Sequence, residues 1–367
     1  MKKFIAALLA LLTLLLTMAA CNTGTTEETS TKEETTTENT TEETTMEDII
    51  TTEEETTLPA ETEEETTAED TTDQGSAPVL YQIAADQNML QNCYLIKTRH
   101  DKYILIDGGG AGSTNTNYLA NTLRELTGTT QIEIEAWFLS HMHDDHVTEF
   151  VLLSQHPRAK VTVNNVYMNF PSREFMNTSE QGRFGYLYDD IQGAYDHFIG
   201  EGEFEKTNGK TAFTGDVFDI DGVKIEILMT VTDEETESNI NDTSMIFKVT
   251  IEGQTILFLG DAYIPEGNRL LAQYGEDLKC DIVQMAHHGQ NGVTKEVYAA
   301  IDPTLCLWPT PIWVFENNSG IYQTDEVRSW MADMGVKYHI VAGQHLTQSL
   351  SFPVDFDALE EFPIRKG

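Results

Sequence analysis

The chain has 367 residues, with 61 Asp and Glu against 22 Lys and Arg, for a formal net charge of −39 at pH 7. From Pro78 onward there are 42 acidic and 19 basic residues, so the later part of the chain is acidic in its own right. A surface of that sign repels polyanions, which sets nucleic acid aside as the default partner.

The opening "MKKFIAALLALLTLLLTMAAC" has two lysines, an apolar run to Met18 and small residues before Cys21. This is the layout of a secretory leader over residues 1–20, and the run is short for a bilayer span of about 20 residues. "MAAC" resembles a bacterial lipobox, which makes Cys21 the expected lipidation site and places the chain at the outer face of a bacterial cell membrane. Residues 21–77 are dominated by Thr and Glu, with no apolar period of 2 or 3.6. Such a stretch has nothing to bury and reads as a solvated tether. Besides Cys21 there are Cys93, Cys280 and Cys306, an odd number without CxxC spacing, which argues against a disulfide scaffold. The apolar settings of Cys93 and Cys280 make them core residues.

From Pro78 to Gly367 short apolar runs alternate with helical patterns. Strands are expected in "NCYLIKT", "YILIDGG", "IEAWFLSH", "VKIEILM", "SMIFKVTI", "QTILFLGD", "CDIVQMAHH", "TLCLWPT" and "KYHIVAG". Helices are expected over 115–126, 148–154, 186–199, 265–274, 294–300 and 324–334. Hairpins dominate the first half and the region 223–260, and helices separate the later strands, which implies an α/β fold of two sheets between helices in one domain.

The chemistry concentrates in "SHMHDDH", residues 140–146, at the end of the strand "IEAWFLS". His141 and His143 are two apart in an extended segment and can share one cation. Asp145 and His146 diverge and suit a second cation beside it. Further donors end later strands: Asn241-Asp242-Thr243-Ser244, Asp261 after Gly260, and His287-His288-Gly289. A carboxylate at position 261 can bridge two cations, which together would polarise a water nucleophile. Asp107 in "LIDGGG" reads as the orienting partner of a ligating histidine, or as a simple Asp-Gly turn. His100, His156 and His197 stand apart from these motifs.

"HMHDDH" matches the HxHxDH motif of the metallo-β-lactamase superfamily, with "LFLGD" and "AHHG" where that superfamily places its bridging aspartate and last histidine. The trio "NDTS", "LFLGD" and "HHG" most resembles the extracellular hydrolase domain of ComEC-type competence proteins and their stand-alone relatives. The resemblance implies an αββα sandwich with two divalent metal ions, zinc first, with manganese or iron as the other options. It puts His141 and His143 on metal one, Asp145, His146 and one of His287 or His288 on metal two, and Asp261 between them; His287, which directly follows the strand, is the expected ligand. His288 is then left to contact substrate, and Asp145 and His288 become the catalytic pair. The third metal-one histidine of a GHTxGS-like turn is absent. "NINDTS" stands there, so Asn241, Asp242 or water must serve. His345 in "AGQHL" reads more readily as an ordinary surface residue than as a replacement.

Three functions follow. The first is a metal-dependent hydrolase of phosphodiester-type bonds acting on a small molecule or cell-envelope component, with the membrane reached only through the lipid and nucleic acid disfavoured by charge. The second is a lactonase, thioesterase or β-lactam hydrolase. The third is a binding lipoprotein with a decayed site. The Tyr- and Phe-rich segment 166–198 is either a substrate wall or helix core.

Overall fold

The computed structural model describes residues 75–364, apart from 86–88, 111–116, 157, 231–238, 318 and 345–346. The leader, Cys21, nearly all of the Thr/Glu-rich stretch and His345 lie outside the described residues. Among the described residues no helix is long and apolar enough to cross a membrane.

Strands β1 (Val79–Gln82), β2 (Tyr94–Lys97) and β3 (Tyr103–Ile106) form an antiparallel run. Helix α1 (Tyr118–Thr127) leads to β4 (Ile132–Ile134) and β5 (Ala136–Phe138), and α2 (Asp144–Ser154) to β6 (Val161–Val163) and β7 (Val166–Tyr167). A helical stretch follows: α3 (Arg173–Thr178), α4 (Tyr186–Phe198) and α5 (Glu203–Thr207). The second half runs β8 (Val217–Ile220), β9 (Val223–Met229), β10 (Ile246–Ile251), β11 (Gln254–Phe258), α6 (Ile264–Tyr274), β12 (Ile282–Gln284), α7 (Lys295–Ile301) and β13 (Leu305–Trp308). It closes with α8 (Ile312–Phe315), α9 (Thr324–Met334), β14 (Tyr338–Val341) and β15 (Gln348–Ser351).

The strands make one sheet in the order β15-β1-β2-β3-β5-β7 and a second in the order β14-β13-β12-β11-β10-β9-β8. The expected single strand "IEAWFLSH" is divided, because β4 leaves the main sheet to pair with β6. Period-2 alternation then builds four layers. Tyr94, Ile96, Ile104, Ile106 and Phe138 face inward and meet Ile225, Phe247, Ile256 and Phe258 between the sheets. Their neighbours Leu95, Leu105 and Trp137 face outward onto α1, α2 and α4. Leu257, Val283 and Cys306 face outward on the other side, onto α6, α7 and α9. The fold is therefore an αββα sandwich. Cys93, Cys280 and Cys306 are all buried and unpaired.

Helix α2 starts at Asp144, four residues before the expected start. Asp144 and Asp145 occupy its first turn, where carboxylates offset the unpaired N–H groups and the positive end of the helix dipole. The aromatic segment resolves largely as core: Phe170, Phe184, Tyr188 and Tyr195 pack in the outer helical layer, and Tyr186 is exposed.

Candidate metal centre

Five chain segments deliver polar side chains to one place. Asp107 follows β3, "SHMH" follows β5, and Asp145 and His146 sit in the first turn of α2. Asp261 follows β11, and the paired histidines follow β12. Gly260 lets the Asp261 segment approach Ser140 and Ser244. Its φ is +55°, and a Cβ there would lie 2.9 Å from Ser244 Oγ and 3.2 Å from Ser140 Cβ. The same Ser244 hydroxyl accepts the Asp261 N–H at 3.0 Å.

Two groups of donors converge, each with its atoms within 4.8 Å of one another: His141, His143 and Asp261, and Asp145, His146, Asp261 and His288. His141 Nε2 lies 3.0 Å from His143 Nδ1. His146 Nε2 is 3.1 Å from Asp261 Oδ1, and His288 Nε2 is 3.0 Å from Asp145 Oδ2 and 3.4 Å from Asp261 Oδ2. Despite these distances His146 Nε2, His288 Nε2 and Asp261 Oδ1 are buried without an aligned hydrogen-bond partner. Buried polar atoms are normally satisfied, and donor atoms aimed at a common point rather than at each other are what a cation requires.

The opposite ring nitrogens are each held. His146 Nδ1 meets Asp107 Oδ2 at 2.7 Å, His288 Nδ1 meets Pro309 O at 2.7 Å, and His141 Nδ1 meets Ser140 Oγ at 3.1 Å. Such partners fix the tautomer that leaves the other nitrogen free to ligate. Asp107 is fully buried and also accepts from Ser140 N, Ser140 Oγ and Asn92 Nδ2. It acts as an orienting group, beyond a plain turn residue.

Charge balance points the same way. Burial would push the carboxyls of Asp145 and Asp261 up, but the imidazoles of His288 and His146 override it and hold both below the usual carboxylate range. Burial would likewise push His146 and His288 down, yet Asp261, joined by Asp107 at His146 and by Asp145 at His288, raises both, His288 to about 10. These imidazoles sit where positive charge is favoured, whether a proton or a metal supplies it.

The expected places of the paired histidines are exchanged. His287 Nε2 stays 4.0 Å from Asp261 Oδ2, its ring is the more exposed of the two, and its Nδ1 donates to Asn291 Oδ1 at 2.9 Å. His288 completes the four-residue group instead. Both residues have left-handed backbone, φ 48° and 55°, and this winding turns the second ring inward. Asp242 is not in either group; it is buried beside Glu266, and its charge helps hold the Glu266 carboxyl well above its usual value, behind burial itself. Asn241 is buried with its Oδ1 unpartnered. Residues that the sequence did not single out are Ser140, Glu180, Tyr263 and Asn291. Ser140 lay inside the quoted motif, whereas the others carry no local signal.

A metallo-beta-lactamase superfamily model matches residues 88–299, an interval that contains every residue of both groups. The chain belongs to that superfamily. No curated protein matches the sequence. Among solved structures, the chain is similar to CmlA, a diiron beta-hydroxylase from Streptomyces venezuelae, at 12% identity and TM-score 0.44, covering 76% of this chain and 54% of CmlA. It is also similar to the metallo-beta-lactamase fold protein YhfI from Bacillus subtilis, at 12% identity and TM-score 0.42, covering 74% of this chain and 99% of YhfI. The chain thus spans about half the length of CmlA and nearly all of YhfI.

Proposed function

We propose that this chain is a metal-dependent hydrolase of phosphodiester-type bonds, held at the outer face of a bacterial membrane by a lipid on Cys21. The observation that carries the hydrolase reading is the Asp261 carboxylate shared by two donor groups, in the second of which the inward nitrogens of His146 and His288 lack hydrogen-bond partners. His141 and His143 would hold one divalent ion, Asp145, His146 and His288 the other, and Asp261 both. Asn241, with its unpartnered Oδ1, is the proposed extra oxygen donor for the first. Zinc suits this nitrogen and oxygen set, as do manganese and iron. Two such ions supply Lewis acidity toward phosphoryl oxygens and acidify the attacking water.

The remaining groups handle the proton and the substrate. Burial lowers His287 to about 4, so at neutral pH it is an uncharged imidazole. With Nδ1–H donated to Asn291, its Nε2 lone pair is the acceptor facing the centre, which makes His287 a base toward water or a substrate hydroxyl. Tyr263 packs edge-on against His287 at 4.8 Å between centroids, and burial raises its phenol, so it stays protonated as a donor for developing negative charge. The substrate-facing role first given to His288 therefore passes to His287, as a base. The acidic composition favours a small-molecule or envelope phosphodiester over nucleic acid.

The test is metal analysis of the purified protein followed by a panel of bis(p-nitrophenyl) phosphate, phosphocholine esters, a lactone, a thioester and a β-lactam. Phosphodiester turnover that is lost to chelator and restored by Zn²⁺ or Mn²⁺ is the expected result. Turnover of the lactone, thioester or β-lactam alone would transfer the assignment to that chemistry. Metal binding without any turnover would favour a binding lipoprotein.

A further inference from the structure

Glu180 sits in the connection between α3 and α4, 37 positions from the HMH segment, yet its carboxylate reaches the metal centre. Its Oε1 lies 3.2 Å from His143 Nε2 and accepts the Ile240 N–H at 3.3 Å. His143 presents its other nitrogen, Nδ1, to His141 Nε2. Glu180 is therefore on the outer side of the ring and cannot share an ion with His141. What it can do is hold Nε2–H, which leaves the Nδ1 lone pair pointing inward. The same short connection supplies a second clamp: Phe184 meets the His143 ring edge-on at 4.6 Å, with the Arg183 guanidinium 4.7 Å above the Phe184 centroid.

The backbone is bent to make this reach. Glu180, Gln181 and Gly182 are consecutively left-handed, with φ of 48°, 63° and 71°. Left-handed backbone is unfavourable for the two non-glycine residues, and strain of this kind persists where the surroundings over-determine it. Through Ile240, Glu180 also ties the HMH loop to the "INDT" turn, Ile240–Thr243, where the third imidazole of the first ion would otherwise be sought.

We propose that Glu180 is the positioning residue of the His141–His143 ion site, fixing the His143 tautomer from the α3–α4 connection and thereby supporting a site with two imidazoles among the described residues. The inference rests on the two-ion reading above. The other three inward-facing histidines take their partners from the sandwich itself, at Asp107, Ser140 and Pro309. Of these four, His143 alone takes its partner from the α3–α4 connection, so loading of the first site is coupled to the fold of that connection while loading of the second is not.

The test uses the full chain loaded with Co²⁺ or Zn²⁺ and compares Glu180→Ala with Glu180→Gln. Chelator competition reads the affinity of each ion, the Co²⁺ visible spectrum reads each coordination environment, and unfolding of the metal-free protein reads stability. Glu180→Ala should weaken one of the two ions by about 10–100-fold and leave the other unchanged. Glu180→Gln keeps an oxygen acceptor for Nε2–H and should recover much of that loss. Unchanged affinity for both ions in Glu180→Ala overturns the proposal, as does equal weakening of both together with a less stable metal-free protein, which would make Glu180 a structural residue only. If the unaltered chain does not take up two ions, the two-ion reading itself fails, a result distinct from either.

Discussion

Nε2 of His288 lies 3.0 Å from Oδ2 of Asp145, and this contact joins the turn after β12 to the first turn of α2 across the mouth of the sandwich. It ranks the two adjacent histidines. His288→Ala removes one of four converging donors and should release one ion per chain while sparing the other. His287→Ala should keep both ions and lower kcat by about 10²–10⁴-fold, the usual range for a lost proton-transfer group. Metal content and kcat measured on both variants decide it, and metal loss confined to His287→Ala would show that the winding of this turn has been misassigned.

Asp107 offers a second separation of roles, because it touches His146 but faces away from both donor groups. Its two oxygens accept from Ser140 N, Ser140 Oγ, Asn92 Nδ2 and the His146 ring. Replacing one oxygen by an NH₂ in Asp107→Asn opposes donor to donor in a fully buried place. Affinity for one ion should drop roughly 10–100-fold, and the metal-free protein should lose about 1–3 kcal/mol. A metal titration that matches the unaltered protein would remove Asp107 from the centre.

The four-layer architecture was legible because strands such as Tyr94-Leu95-Ile96 and Ile104-Leu105-Ile106 are apolar at every position, as strands buried on both faces must be, and in the fold their residues alternate between two cores. The donors at 141, 143, 146 and 261 were legible because motif spacing on a strand end restricts where side chains point. The order of His287 and His288 was not, since it depends on two left-handed residues that no propensity favours. Glu180 was invisible for another reason: its partner is 37 positions away, with α2, β6, β7 and α3 between them. Asp242 stands outside both donor groups, buried close enough to Glu266 in α6 for its charge to help raise that carboxyl, a proximity that the sequence does not display.

The described residues begin three positions before Pro78. Ser76 N–H donates to Arg99 O at 2.9 Å, and Phe352 N–H donates to Pro78 O at 2.9 Å, so residues 75–77 lead into β1 already hydrogen-bonded. A fragment starting at Gly75 should unfold cooperatively with the midpoint of the full chain and bind the same number of ions. A broadened transition or a lower metal content in that fragment would assign residues 1–74 a structural part.

The last expectation concerns acid stability and lies outside the metal centre. His339 on β14 accepts the Trp308 Nε1–H at its Nδ1, 3.1 Å away, while its Nε2 meets Val336 O at 3.1 Å. The ring is thereby fixed as the neutral Nε2–H tautomer, and a proton on Nδ1 would be set against the indole N–H. Burial lowers this imidazole to about 4, against about 6.5 in an unfolded chain. Between those values the unfolded chain binds the proton and the folded one does not, so acid favours unfolding. No stability is lost to this group above pH 6.5; the loss builds as pH falls from there to about 4, where it reaches on the order of 3 kcal/mol. In His339→Gln the side-chain oxygen can still accept from Trp308 but cannot titrate. Denaturant unfolding of both proteins at pH 7.5 and pH 4.5, with chelator in every sample, should show the unaltered chain losing more stability than the variant over that interval. Equal losses in the two proteins would mean that His339 takes up its proton without unfolding the sheet edge.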